Sequence, residues 1–156
     1  MDKQRLVQTA RALVAEGKGI LAADESSGTI KRRFDSINVE STEDNRRNYR
    51  EMLFRTAGVD EFISGVILFD ETIRQDAADG TSMVKVLSDR GIIPGIKVDK
   101  GTVPLPEASD ELVTEGLDGL RDRLKEYNDL GAGFTKWRAV ISISGNTPTS
   151  YGLAAN

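Results

Sequence analysis

The run Ile63-Ser64-Gly65-Val66-Ile67-Leu68-Phe69 narrows the fold more than any other stretch of this chain. A near-continuous apolar run of that length suits a strand buried on both faces, and such strands belong to parallel sheets. Three further runs follow the same plan, at 19–23, 92–100 and 134–143. Helical patterns separate them. Over residues 3–15, Leu6, Ala10, Leu13 and Val14 share a face, with Gly17 as a stop. Ser41 opens a second helix, with Asp44 as a capping-box variant, an apolar face of Tyr49, Met52, Leu53 and Thr56, and Gly58 at its end. A third helix, about 81–90, packs through Met83, Val84 and Leu87 and stops at Gly91. Residues 101–115 read as a longer loop. A fourth helix, about 116–130, carries Leu117, Leu120, Leu124 and Tyr127 at helical spacing before Gly131. Thr147-Pro148 reads as an N-cap with Pro at the first helical position. Strands alternating with helices imply a parallel α/β sheet with right-handed crossovers. Four strand–helix units make either half of a (β/α)8 barrel or a small open sheet.

Chemistry concentrates where the strands end. In GKGILAADESSGTIKRRF, residues 17–34, the first strand stops at Asp24-Glu25-Ser26-Ser27-Gly28-Thr29 and a basic helix follows. A carboxylate at a strand's carboxyl end, with hydroxyls and a glycine at a helix entrance, is where α/β proteins place their sites. The hydroxyls, the loop amides and Arg32 or Arg33 can hold an anion such as a phosphate. The same residues also fit an ordinary capped loop with Asp24 or Ser27 as N-cap and the arginines solvated.

Charges inside the third and fourth strands sharpen this. Side chains alternate faces along a strand, so Lys97 and Asp99 share one face while Ile96 and Val98 take the other. In the fourth strand Lys136 and Arg138 point one way and Thr135, Trp137 and Ala139 the other. Isolated buried charges cost several kcal/mol each, so these groups pair, line a wet cavity or lie on an exposed edge. In a barrel the charged faces meet near the top, joined by Asp24. A cationic, partly desolvated pocket of this kind suits an anionic substrate and acid–base or imine chemistry by lysine.

Composition removes the competing chemistries. The 156 residues carry a net charge of −4 and contain neither Cys nor His. Thiolate catalysis, disulfides, Ser-His-Asp triads and the usual zinc sites are thereby excluded, and acid–base work falls to Asp, Glu, Lys or Tyr. The acidic balance argues against broad nucleic-acid or anionic-membrane binding. The charged, amphipathic N-terminus does not read as a signal peptide, and no apolar stretch is long enough to span a membrane. No G-x-G-x-x-G follows a strand and no G-x-x-x-x-G-K-[ST] occurs, so common nucleotide-binding modes lack support.

The segments GKGILAADESSGTIKRRF, EDNRRNYREMLF, GVILFDET, PGIKVDKGTVPL, TEGLDGL and FTKWRAVI together closely resemble class I fructose-bisphosphate aldolase, from about Val14 to the last residue. The resemblance implies a (β/α)8 barrel (the TIM barrel), cytoplasmic and usually tetrameric. Its reaction is the reversible cleavage of fructose 1,6-bisphosphate to dihydroxyacetone phosphate and glyceraldehyde 3-phosphate. That family needs no metal and no cofactor, because a lysine forms a Schiff base with the ketone. Carried over, Asp24 matches the aspartate that orients substrate hydroxyls and assists proton transfer, and Lys136 the lysine that assists charge and proton handling beside the Schiff base. Ser26, Thr29 and Lys97 match residues around the sugar's C6 phosphate, where the family often has Ser in place of Thr29. Arg33 and Arg138 match substrate-contacting arginines.

The resemblance covers strands one to four only, so residues 1–156 are expected to form the N-terminal half of the barrel domain, as a truncated product or a fragment. No lysine of this chain matches the imine-forming one, nor does any residue match the strand-five glutamate. Barrels of this class take about 250 residues. An opened barrel exposes strand edges, so the chain is expected to associate, as a homo-oligomer or with a complementary second half, and to lack aldol cleavage alone. The competing reading is a non-catalytic half-barrel that binds phosphate or serves assembly.

Overall fold

The computed structural model describes residues 2–156. In chain order the elements are α1 (Lys3–Leu13), β1 (Gly19–Ala23), α2 (Ser27–Asp35), α3 (Glu43–Arg55), α4 (Val59–Phe62), β2 (Ile63–Leu68), α5 (Asp70–Ile73), α6 (Met83–Ser88), β3 (Ile93–Lys97), β4 (Thr102–Leu105), β5 (Ala108–Thr114), α7 (Leu120–Asp129), β6 (Phe134–Lys136) and α8 (Ser150–Ala155). They fall into two compact units. The first is the chain up to Lys97 with Lys125–Thr135; the second is Val98–Leu124 with Lys136–Asn156.

The first unit is built on parallel strands, and the sheet runs in the order β1-β2-β3-β6. Register pairs Ala23 with Leu68 and Leu68 with Ile96; one residue earlier it pairs Ala22 with Ile67 and Ile67 with Gly95. Ala23, Leu68 and Ile96 therefore share a face, and all three are fully buried. The other face is floored by small residues, and Leu13 and Phe134 fill the space above them. A Cβ on Gly95 would meet the Phe134 ring at 2.3 Å, and one on Gly65 would meet Leu13 at 2.6 Å. A side chain at either position would have to push Leu13 or Phe134 aside.

The helices depart from the expected boundaries in instructive ways. The N-cap of α3 is Thr42, whose hydroxyl accepts from the Asn45 amide at 3.1 Å. Ser41 lies one residue outside, its carbonyl taken by Arg46 at 2.6 Å. The buried line of α3 is Arg50 and Phe54, one turn apart, while Met52 is exposed. Of the expected face, Tyr49 and Leu53 are half-buried while Met52 and Thr56 are exposed, and the deepest positions go to Phe54 and to Arg50, which finds carboxylate partners inside. In α6 the buried residues are Met83, Val86 and Leu87, with Val84 half-buried. The helix expected from 116 begins at Leu120: Gly116 (φ 129°) and Gly119 (φ 64°) hold conformations a helix does not use, and Leu117 is exposed. The N-cap of α2 is Ser26, neither Asp24 nor Ser27.

The second unit holds the largest corrections. The expected loop over 101–115 is an antiparallel hairpin of β4 and β5, pairing Thr102 with Thr114 and Val103 with Val113. Its β-branched pairs outweigh the Gly and Pro that mark loops. The fourth strand, expected over 134–143, ends at Lys136. Beyond it the Arg138 carbonyl accepts from the Thr114 hydroxyl at 2.9 Å. Thr147 closes a turn with Ser144 (Oγ···Oγ1 2.9 Å), and the Thr147-Pro148 bond is cis. The final helix α8 is instead capped by Thr149, which accepts from the Gly152 amide at 2.9 Å.

Candidate active site

Asp24, Phe69 and Lys97 each stand one residue beyond the paired level Ala23–Leu68–Ile96, at the carboxyl ends of their strands. Alternation puts Asp24 and Lys97 on the same face of the sheet, the face floored by Gly65 and Gly95. Asp24 is buried and Lys97 half-buried. Lys97 leaves β3, an interior strand flanked by β2 and β6, so it is not on a sheet edge.

The loop after β1 leads directly into α2. Ser26 precedes the helix in extended conformation, and its carbonyl accepts from the Thr29 and Ile30 amides at 2.9 Å each. Its hydroxyl makes no capping bond but lies 3.2 Å from the Thr29 hydroxyl, which Arg32 reaches at 3.4 Å. A Cβ on Gly28 would meet nothing within 4 Å. Those two amides are taken, so the first turn of α2 offers the amides of Ser27 and Gly28, two hydroxyls and open space, a combination suited to an anion. Arg33, exposed on the same helix, pairs with the buried Glu25 carboxylate.

Beneath the loop lies a charged cluster that sequence reasoning missed. Arg50 is fully buried and donates to the Glu25 carbonyl at 2.7 Å. The same nitrogen, Nη2, lies 3.9 Å from the Glu25 carboxylate, Nη1 faces Glu71 at 3.4 Å, and the guanidinium sits 5.9 Å from the centre of the Phe69 ring. Burial lowers the Arg50 pKa from its ordinary value, opposed by Glu25 and Glu71. Glu71 is gripped by Arg46, with Nε to Oε2 at 2.9 Å. That hydrogen bond holds the Glu71 carboxyl below the usual carboxylate range. The available signal was a helix bearing Arg46 and Arg50 one turn apart, with Glu25 and Glu71 each just past a strand end.

In the second unit, Lys136 is half-buried and closes β6, its carbonyl accepting from the Val98 amide at 3.1 Å. Arg138 is exposed two residues on. Asp99 is buried, with one carboxylate oxygen accepting from the Gly101 amide at 3.2 Å.

The family model described as fructose-bisphosphate aldolase class-I matches residues 5–156. The chain belongs to the class I fructose-bisphosphate aldolase family. Among the curated relatives, the probable class 1 aldolase of Xanthomonas campestris pv. campestris is 56% identical over 156 residues, all of this chain and 47% of the relative. Fructose-bisphosphate aldolase 1 of Toxoplasma gondii is 59% identical over 140 residues, 90% of this chain and 39% of the relative. Among solved structures, fructose-bisphosphate aldolase from Plasmodium falciparum, in complex with TRAP and a small-molecule inhibitor, superposes with a TM-score of 0.94 at 51% identity. That match covers 97% of this chain and 44% of the aldolase chain. The fold is thus the α/β fold of the aldolase TIM barrel, with this chain spanning about its first four strand–helix units. The chain spans about half the length of the curated relatives it matches, or less. Among the described residues, no helix is long and apolar enough to cross a membrane.

Proposed function

We propose that this chain supplies the N-terminal share of a class I aldolase site, for reversible cleavage of fructose 1,6-bisphosphate to dihydroxyacetone phosphate and glyceraldehyde 3-phosphate through a lysine imine. The observation that carries it is the register that sets Asp24 and Lys97 at one level and on one face of the strands' carboxyl ends. Asp24 orients substrate hydroxyls and relays a proton. Ser26, Thr29, Lys97 and Arg33 receive a phosphate, using the α2 amides and charge-assisted bonds. In the second unit Lys136 handles charge and protons next to the imine, and Arg138 holds substrate. The setting is cytoplasmic, as the name of the cytosolic Arabidopsis thaliana relative suggests. The working form is a homo-oligomer or a complex with a complementary second half.

None of the lysines in this chain is assigned the imine. The test is borohydride trapping of the purified 156-residue chain with dihydroxyacetone phosphate, read by intact mass. No adduct is expected. A stoichiometric adduct mapping to Lys97 or Lys136 overturns the roles proposed for those two lysines. The open first turn of α2 favours a second reading, phosphate binding without chemistry. It is distinguished by phosphate-dependent stabilisation that persists when Lys136 is replaced and no complementary half restores turnover.

A further inference from the structure

Glu25 sits between two arginines of opposite character. One carboxylate oxygen pairs with Arg33, whose side chain is 58% exposed. The other oxygen, Oε2, is buried without a hydrogen-bond partner. It lies 3.9 Å from Nη2 of Arg50, which is fully buried, and the adjoining Arg50 Nε also lacks a partner. Nε and Nη2 share one edge of a guanidinium, the fork that carboxylates bind in bidentate fashion. Nη2 is held by the Glu25 carbonyl at 2.7 Å, so carboxylate and fork are tethered to the same short loop. An unmatched buried acceptor next to an unmatched buried donor is a costly arrangement.

We infer that Glu25 is a carboxylate hand-off: it pairs with Arg33 until an anion takes that arginine, and then passes to the buried fork of Arg50. The inference rests on the proposed role of Arg33, Ser26 and Thr29 in phosphate binding. It solves a problem that role creates. A phosphate arriving at Arg33 displaces a carboxylate that is 6% exposed, and a displaced buried carboxylate needs a new cation at once. Arg50 is that cation, and its bond to the Glu25 carbonyl keeps the loop in place during the exchange. Glu25 and Arg50 are positioning residues; the anion touches neither.

The experiment titrates the chain with inorganic phosphate, following amide shifts of Ser26–Arg33. Glu25→Gln removes the competitor for Arg33, and the expected result is binding tighter by about threefold to fivefold, the scale of an exposed ion pair. Arg50→Met removes the receiving fork, and binding weakens about tenfold. In the Glu25→Gln background, the same Arg50→Met change costs clearly less, because no carboxylate needs receiving and only the bond to the residue 25 carbonyl is lost. A purely structural Arg50 predicts the full loss in both backgrounds, and that result overturns the hand-off. Unchanged or weaker binding in Glu25→Gln overturns it too, and this variant leaves the buried arginine intact should Arg50→Met fail to fold. No phosphate binding by the parent chain, or binding that survives Arg33→Ala unchanged, overturns the anion reading itself, and the hand-off with it.

Discussion

The two units are held by different means. The first buries apolar side chains against a parallel sheet: Ile30, Phe54, Val66, Leu68, Met83 and Ile96 are all fully buried. The second buries mostly polar groups, among them Glu111, Thr114 and Asp99, and leaves Leu117, Ile143 and Leu153 exposed. Its cohesion comes from single bonds. Glu111 accepts from the Thr149 amide at 3.0 Å and from its hydroxyl at 2.5 Å. Asn156 accepts from the Thr114 amide at 3.0 Å and donates to the Leu112 carbonyl at 2.8 Å. Apolar burial scales with area and is shared among many neighbours, whereas a buried polar contact rests on one partner. The first unit is therefore the graded, redundant part of the molecule, and the second depends on a few specific atoms.

The largest effect tests the apolar side of that contrast. Phe54→Ala leaves a cavity at a fully buried site and is expected to cost the first unit about 3–5 kcal/mol in urea unfolding. A cost under about 1 kcal/mol would show that this core collapses around the gap and is not a packed one. A smaller, more local effect is expected in the second unit. Glu111→Ala strips the Thr149 amide and hydroxyl of their acceptor, at a cost of about 1–3 kcal/mol. Amide exchange over Thr149–Ala155 should accelerate while exchange over β1–β3 stays unchanged. Gly152 sharpens the point: a Cβ there would sit 2.1 Å from Glu111 Oε1, so the carboxylate is packed against backbone as well as bonded to it.

This contrast also explains what the sequence made legible. Strands β1 to β3 are apolar runs of the right length, and their ends appear within a residue or a few of where composition changes. Register then places Asp24 and Lys97 on one face, a relation between strands that came from the barrel reading and not from alternation within either strand. The β4–β5 hairpin stayed hidden because Gly101, Pro104 and Pro106 punctuate it. In a two-stranded hairpin a proline costs little, since one edge is always unpaired, so punctuation misled where a central strand would have forbidden it. Arg50 stayed hidden for a different reason. Its partners Glu25 and Glu71 lie 25 and 21 residues away, and helix periodicity counts an arginine as surface. The Glu25–Arg33 pair is eight residues apart and crosses a strand–helix boundary, outside the i,i+4 pattern that reveals helical ion pairs.

The smallest predicted effect concerns a place where the first unit behaves like the second, its charged cluster. The Arg46 hydrogen bond holds the Glu71 carboxyl below the ordinary glutamate value of about 4.3. A group whose folded-state pKa is depressed binds protons more readily when unfolded. Its stabilising contribution is complete above the unfolded value and is lost as pH falls through the folded one. The first unit should therefore lose stability on acidification below about pH 4, measured by urea midpoints across the range. Glu71→Gln keeps the shape and removes the titration, so its midpoint should start lower at neutral pH and fall less steeply in acid. Because Glu71 is partly exposed, solvent screening keeps the difference small. Equal acid slopes in the two chains would assign the acid sensitivity to other carboxylates of the first unit.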